Sequence, residues 1–256
     1  MDPVIELRSV SKDYGGVPVL TGLDLAAPAG QFVALVGASG SGKTTLLKTI
    51  NRLVVPDAGE VRIEGRPADE EPAHQLRRRI GYVFQEVGLF PHLTVAENIA
   101  ITPKLLGWPA SRIAERVRAL LTLVGLAPDF GDRAPAALSG GQRQRVGVAR
   151  ALAAEPRILL MDEPFGALDP MTREALGADV RRLHGELNLT IIMVTHDMTE
   201  AMLLADRIVV LHGGRIVADG SPADLSIRAL PAEVEGLIHA PRRQAARLLQ
   251  RLEQGA

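Results

Sequence analysis

Apolar residues in this chain gather in short unbroken runs separated by polar, helix-patterned stretches. Phe32-Val33-Ala34-Leu35-Val36, Ile80-Gly81-Tyr82-Val83-Phe84, Ile158-Leu159-Leu160-Met161 and Thr190-Ile191-Ile192-Met193-Val194-Thr195 are such runs. Their length and content predict strands buried on both faces. Val4 to Val10 alternates, and a turn at Gly15-Gly16 followed by Pro18-Val19-Leu20 predicts an antiparallel hairpin. Glu60 to Ile63 reads as a further short strand after the turn Pro56-Asp57-Ala58-Gly59. Arg207 to Leu211, Gly213-Gly214 and Arg215 to Ala218 predict a second hairpin. Helices are predicted over Ser41–Leu53, Val95–Ile101, Ser111–Val124 and Gly141–Ala154, and Glu70–Arg79 reads as a polar helical link. In Ser111–Val124, Ile113, Val117, Leu120, Leu121 and Val124 share one face. Prolines at 91, 103, 109, 128 and 135 punctuate this region, so residues from about 86 to 154 read as a helical insertion in an α/β core. In the tail, Ala245, Leu248, Leu249 and Leu252 keep helical spacing between arginines, a face expected to pack on the body or to meet a partner.

Composition narrows the class. With 256 residues the chain is long enough for one or two domains with a buried core. Its formal net charge of -1 argues against broad electrostatic binding to nucleic acid. There is no cysteine, which excludes disulfides and thiolate metal sites. The first residues have no basic flank and no long apolar run, so no secretory signal is expected there. The longest uncharged stretch near the start, Leu25 to Gly42, is broken by Pro28 and several glycines and is no spanning helix. A role at a membrane would then require docking to something within it.

Candidate chemistry sits where the predicted strands end. Gly37-Ala38-Ser39-Gly40-Ser41-Gly42-Lys43-Thr44-Thr45 lies between a strand and a helix, the context that a phosphate-binding P-loop requires. Glycines let backbone N–H groups turn inward around an anion, and the helix N-terminus adds unpaired N–H groups with a partial positive charge. Lys43 is placed to reach the β- and γ-phosphates, and the Thr44 hydroxyl to ligate Mg²⁺. Gln85 follows a core strand, where it can sense a phosphate, a metal or a water, or simply cap a loop. Ser139 is a natural N-cap, and Gly140 and Gly141 before Gln142 would let a phosphate approach the backbone; an ordinary capped helix explains the same residues. Asp162 and Glu163 end a buried strand, where two carboxylates are costly without a cation or water to act on. Asp162 is placed to hold Mg²⁺ and Glu163 to orient or deprotonate a water. His196 ends another strand, where a histidine can hydrogen-bond a γ-phosphate or play a structural part. Tyr14, before the first glycine turn, either stacks on an adenine or covers the hairpin edge.

These motifs come in one order: Gly37–Thr45, Gln85, Leu138-Ser139-Gly140-Gly141-Gln142, Ile158–Glu163, Ala167-Leu168-Asp169 and His196. Together they resemble the ATP-binding cassette family of transport ATPases over residues 4 to about 220. The resemblance implies a P-loop NTPase (RecA-like) α/β core with an N-terminal antiparallel β subdomain and an inserted α-helical subdomain. It implies ATP and Mg²⁺ as cofactors and a head-to-tail homodimer in the ATP-bound state. ATP would lie between Gly37–Thr45 of one subunit and Ser139–Gln142 of the other. Tyr14 would stack on adenine, Asp169 would lie at the seam, Glu163 would be the catalytic base, and His196 and Gln85 would contact the γ-phosphate or its water.

The finer resemblance is to the osmoprotectant importer branch. It is carried by Ile50-Asn51-Arg52-Leu53, by Gly88-Leu89-Phe90-Pro91-His92-Leu93-Thr94-Val95-Ala96-Glu97-Asn98-Ile99-Ala100 and by Pro103-Lys104-Leu105-Leu106-Gly107-Trp108. This implies a motor subunit for glycine betaine, choline, carnitine or related quaternary amines, peripheral on the cytoplasmic face of the cell (inner) membrane. Its expected partners are permease subunits and a substrate-binding protein, with no nucleic acid. Phe90, Pro91 and Leu93 would meet a coupling helix of the permease. Another small solute, such as an amino acid or polyamine, remains open, as does a non-transport ATPase acting on nucleic acid or ribosomes. Many members of the branch carry a pair of CBS domains after the cassette; residues 221–256 are instead expected to be a short helical tail.

Overall fold

In the computed structural model, the chain is described over residues 3–228 and 232–239 and at the isolated positions 246, 250 and 251. The elements run β1 (Pro3–Tyr14), β2 (Val17–Pro28), β3 (Phe32–Val36), α1 (Lys43–Ile50), β4 (Ala58–Ile63), β5 (Arg66–Pro67), α2 (Ala73–Arg79), β6 (Ile80–Val83), α3 (Val95–Leu105), α4 (Ala110–Leu123), α5 (Gly140–Leu152), β7 (Ile158–Asp162), α6 (Pro170–Leu187), β8 (Thr190–Val194), α7 (Met198–Leu204), β9 (Arg207–His212), β10 (Arg215–Gly220), α8 (Pro222–Ile227) and α9 (Ala232–Ile238). Ala245, Leu248, Leu249 and Leu252, the proposed apolar face of the tail, lie outside the described residues.

Six strands form a sheet in the order β10-β9-β3-β8-β7-β6. The five from β9 to β6 are parallel, and β10 pairs antiparallel at one edge. Every residue of β3, β7 and β8 is buried. Side chains alternate between the two faces of a strand, so each apolar run feeds two cores. Phe32, Ala34, Val36, Leu159, Met161, Ile191 and Met193 face a core shared with α3 to α7. Val33, Leu35, Ile158, Leu160, Ile192 and Val194 face a second core, shared with α1, α2 and the smaller sheet. Burying one Val, Leu or Ile side chain contributes about 1.5–3 kcal/mol, so coverage on both faces stabilises these strands at the centre of the sheet.

The smaller sheet, β2-β1-β4-β5, is antiparallel. Its strands are longer than the pattern suggests because the alternation changes phase along them. The pairing shifts near Ser9 and Gly22, both left-handed, with φ 49° and 55°. Leu20 and Leu23 therefore both reach the core although three positions apart. Such bulges hide a strand from a strict period-2 reading.

Helix limits also depart from expectation for local reasons. α1 begins at Lys43 rather than Ser41, since Gly42 is left-handed at φ 99°, and it stops before Arg52, which is left-handed at φ 56°. α2 starts after Pro72 rather than at Glu70. α3 runs through Pro103 to Leu105 where a stop was expected. A proline there removes a bond to the preceding turn and crowds its carbonyl, a cost the rest of the helix has to offset. The helix is anchored at its start by a capping box between Thr94 and Glu97, and the backbone carbonyl of Pro103 accepts from Trp108 N at 3.1 Å. α5 starts at Gly140, one residue earlier than expected, because Ser139 and Gln142 close a reciprocal capping box. β6 ends at Val83, leaving Phe84 exposed and Gln85 two residues beyond the strand.

One buried ionisable group ties α6 to the start of β3. The Nε2 of His184 lies 3.0 Å from the Gly30 carbonyl, its ring centroid is 5.5 Å from that of Phe32, and Arg181 and Asp206 face it at 3.4 and 3.8 Å. Burial lowers its pKa from the ordinary value near 6.5, outweighing the opposing pull of Asp206. Below pH 6.5 the unfolded chain therefore takes up a proton that the folded chain resists, and stability falls with falling pH. The thermal midpoint of the native chain should drop more steeply between pH 6.5 and 5 than that of His184→Gln, which keeps a donor for Gly30. Parallel curves would contradict this.

Candidate functional site

In a parallel sheet all strands deliver their C-terminal ends to one edge. The order β3-β8-β7-β6, with Leu35 paired to Val194, Val194 to Asp162 and Met161 to Val83, sets four ends side by side at nearly one level. From those ends issue Gly37–Thr45, Thr195-His196, Asp162-Glu163 and Gln85 in turn.

The glycine loop is clamped from below and open above. A Cβ on Gly37 would lie 2.2 Å from the Leu211 carbonyl oxygen, and one on Gly42 would lie 2.7 Å from the Val19 carbonyl oxygen and 2.8 Å from Leu20. Gly40 has open space around it, and Ser39 is exposed at the crest. Ser41 and Lys43 are buried. The Lys43 ammonium donates to the carbonyls of Gly37 at 2.9 Å and Ala38 at 2.8 Å, and to Ser41 Oγ at 3.4 Å. Burial lowers its pKa, while the negative charges of Glu163 and Asp162 oppose the shift. Thr45 is half-buried in the first turn of α1.

The acids divide between two sets of partners. Thr44 Oγ1 donates to Asp162 Oδ1 at 2.9 Å, and the Tyr82 hydroxyl donates to Asp162 Oδ2 at 3.3 Å. Burial, reinforced by that carboxylate, raises the Tyr82 pKa well above its usual range. One oxygen of the next residue, Glu163 Oε2, accepts from Gln85 Nε2 at 3.3 Å and lies 3.2 Å from His196 Nδ1. Glu163 has left-handed backbone, φ 45°, and its N–H donates to the Val194 carbonyl at 3.0 Å. A non-glycine residue in that region costs of order 1–3 kcal/mol, and such strain collects at functional positions. Lys43, Thr44, Gln85, Asp162, Glu163 and His196 are thus one constellation.

The remaining candidates hydrogen-bond elsewhere. Ser139 accepts from Gln142 N at 3.3 Å and its own N–H donates to Gln142 Oε1 at 2.9 Å. Gly140 is exposed, and Gly141 is pressed against α6, where a Cβ would meet Thr172 Cγ2 at 2.4 Å. Asp169 caps α6 by accepting from Thr172 N at 3.0 Å, and its bonds to Thr172 hold its carboxyl below the ordinary value. Among the described residues, no hydrogen bond or ion pair joins Ser139–Gln142 to Gly37–Thr45. Tyr14 has a half-exposed ring with the Lys12 ammonium 5.4 Å from its centroid, and its hairpin reaches the glycine loop through Val19 of β2.

Three supporting residues escaped the motif reading. Tyr82 is one. Arg150 of α5 donates to the carbonyls of Val87 and Gly88, the latter at 2.8 Å, and so holds the segment after Gln85. Asn98, fully buried, accepts from Phe90 N at 2.8 Å and donates to the carbonyls of Phe90, Leu93 and Thr94. A buried asparagine in an apolar helix face is the signal that could have marked it.

Residues 20–166 match the family described as ABC transporter. The chain belongs to the ABC transporter family. It is 52% identical over 223 residues to the glycine betaine/carnitine/choline transport ATP-binding protein OpuCA of Bacillus subtilis, covering 87% of this chain and 59% of that protein. It is 50% identical to the glycine betaine uptake system ATP-binding protein YehX of Escherichia coli, covering 88% of this chain and 73% of that one. It is also 49% identical to the sulfate/thiosulfate import ATP-binding protein CysA of Mycobacterium tuberculosis, covering 88% and 63%. The chain thus spans about three fifths of the first of these relatives. Among solved ABC structures it is similar to the dimeric post-hydrolysis state of the ATP-binding cassette MJ0796 bound to ADP and Pi. The TM-score is 0.77 at 33% identity, covering 85% of this chain and 98% of that one.

The constellation suits a magnesium nucleoside triphosphate. Among the described residues no three acidic or histidine side chains converge as a metal cage. The paired Thr44 hydroxyl and Asp162 carboxylate are instead the sparse, hard oxygen donors that Mg²⁺ takes when phosphates complete its shell. Gly42→Ala should weaken nucleotide binding more than tenfold, since its Cβ would push the loop from Val19 while straining φ. Equilibrium binding of a fluorescent ATP analogue checks this; native affinity would contradict the loop geometry.

Proposed function

We propose that this chain is an ATP-hydrolysing motor subunit of an importer for quaternary amines such as glycine betaine or choline. The observation that carries the hydrolytic part is the sharing of Glu163 Oε2 by Gln85 and His196 beside the Lys43 loop. In this reading Lys43 and the loop N–H groups hold the β- and γ-phosphates, and Tyr14 stacks on the adenine. Thr44 and Asp162, with Gln85 nearby, would hold Mg²⁺, which would supply charge neutralisation to the phosphates. Glu163 takes a proton from the attacking water, while Gln85 and His196 orient that water and the γ-phosphate. These residues leave one side of the nucleotide uncovered. A second copy, turned head to tail, would bring its Ser139–Gln142 and Asp169 to that side. The lack, among the described residues, of any hydrogen bond or ion pair between that motif and the glycine loop supports this, as does the dimer of the similar cassette MJ0796.

The cassette in this reading covers 1–220 with its helical insertion at about 86–154, and 221–256 is the tail. No helix among the described residues is long and apolar enough to cross a membrane. The protein would work on the cytoplasmic face through permease subunits fed by a substrate-binding protein. A groove of about 510 Å³, lined by Leu53, Phe84, Phe90, Ile101 and Arg150, is suited to a short helix of the permease. It begins at the segment following Gln85, so docking and hydrolysis would share one stretch of chain. The quaternary-amine assignment is supported by OpuCA and YehX; similarity to CysA favours sulfate or thiosulfate as the second reading.

Vesicles holding the chain with a permease that co-purifies with it should take up labelled glycine betaine when supplied with ATP. Uptake of sulfate alone would favour the second reading. Glu163→Gln should bind ATP normally, hydrolyse it at least a hundredfold more slowly and accumulate as an ATP-bound dimer. Normal turnover would remove Glu163 from its role.

A further inference from the structure

We propose that Arg173 is a positioning residue that locks the turn carrying Glu163 and Asp169 to the turn carrying His196. The inference rests on the ATPase reading and concerns how its two halves are held in register. Arg173 lies on α6 one helical turn after Asp169, and its N–H donates to the Asp169 carbonyl at 2.9 Å. Its guanidinium leaves that helix in two directions. Nη2 donates to the Leu168 carbonyl at 3.2 Å, inside the turn that follows Glu163. Nη1 lies 3.5 Å from Asp197 Oδ2 and Nε 3.6 Å from Glu200 Oε1, both beyond β8. Nε is buried and makes no hydrogen bond, so a shift of a few tenths of an ångström would engage Glu200 directly.

The residues it reaches frame His196. Asp197 follows it and caps α7, accepting from Thr199 N at 2.7 Å and Glu200 N at 3.3 Å. Thr195 precedes it, donating from Oγ1 to Glu200 Oε2 at 2.6 Å and accepting from Asp197 N at 3.0 Å. The His196 side chain is 64% exposed, and its Nδ1 lies 3.2 Å from Glu163 Oε2. The exposed imidazole therefore takes its position from its neighbours, and they are tied across to Leu168 by one planar cation. A guanidinium can serve three acceptors at fixed angles where an ammonium cannot. Burial raises the Glu200 pKa, with Arg173 among the charges that oppose the rise, so removing Arg173 takes a compensating cation from a buried acid.

None of these bonds touches the glycine loop, which separates the two kinds of effect. In the full-length chain with Mg²⁺ and ATP, Arg173→Gln should leave ATP affinity within about twofold and lower kcat about tenfold, since a small misplacement of a reacting group is enough. Glu200→Gln cuts the same link from the other side, keeps an acceptor for Thr195, and should behave alike; it carries the test if Arg173→Gln does not fold. His196→Ala should cost much less in the Arg173→Gln background than alone, because the link acts through His196. Unchanged kcat, equal losses in kcat and ATP affinity, or additive losses with His196→Ala would each overturn the proposal. A native chain that never hydrolyses ATP would remove the ATPase reading and this inference with it, and is told apart by that control.

Discussion

Burial of a parallel sheet on both faces is the constraint on which the rest depends. Strands β3, β7 and β8 have no polar face to offer water, so each can exist only with cores on both sides. Sharing one direction, they deliver their C-terminal ends to one edge, and their order decides which residues meet there. Lys43, His196, Glu163 and Gln85 come from widely separated parts of the sequence, yet they emerge from strands adjacent in space. The site is a consequence of how apolar runs satisfy themselves.

Charge at that edge is held in an incomplete balance. Asp162 and Glu163 stand side by side at the end of a buried strand, with Lys43 as the cation whose protonation they support. Lys43 meanwhile donates to loop carbonyls, and Asp162 accepts from the hydroxyls of Thr44 and Tyr82. Every one of these bonds is neutral on one side and can be exchanged. An anionic ligand with its cation would find donors and acceptors already oriented, with little to reorganise. The strain at Glu163 fits the same picture, since left-handed backbone turns its carboxylate toward Gln85 and His196.

Much of this was legible from residues alone, for physical reasons. A strand buried on two faces must be apolar throughout, so β3, β7 and β8 announce themselves, and the polar residue after each is conspicuous. Ser139 as an N-cap was equally plain, because few residues satisfy a helix start. What stayed hidden depended on geometry between elements. The phase slips at Ser9 and Gly22 disguised the length of β1 and β2. Pro103 looked like a stop but lies in a helix whose start is capped and whose end is tied by Trp108. Arg150 acts through the backbone carbonyls of Val87 and Gly88, more than sixty residues away, which no local pattern reports. Arg173 carries no motif of its own, and only the fold shows it reaching Asp197 and Glu200.

The most direct measurement is calorimetric titration of the purified full-length chain and its Lys43→Ala variant with ATP in the presence of Mg²⁺. If the strand-end edge is a triphosphate cradle, the native chain saturates and the variant loses affinity at least a hundredfold, the cost of about 2.7 kcal/mol or more for a lost charged contact. Equal affinity in the two proteins would mean that the phosphates do not lie where Lys43 is held, and the account of the site would fail.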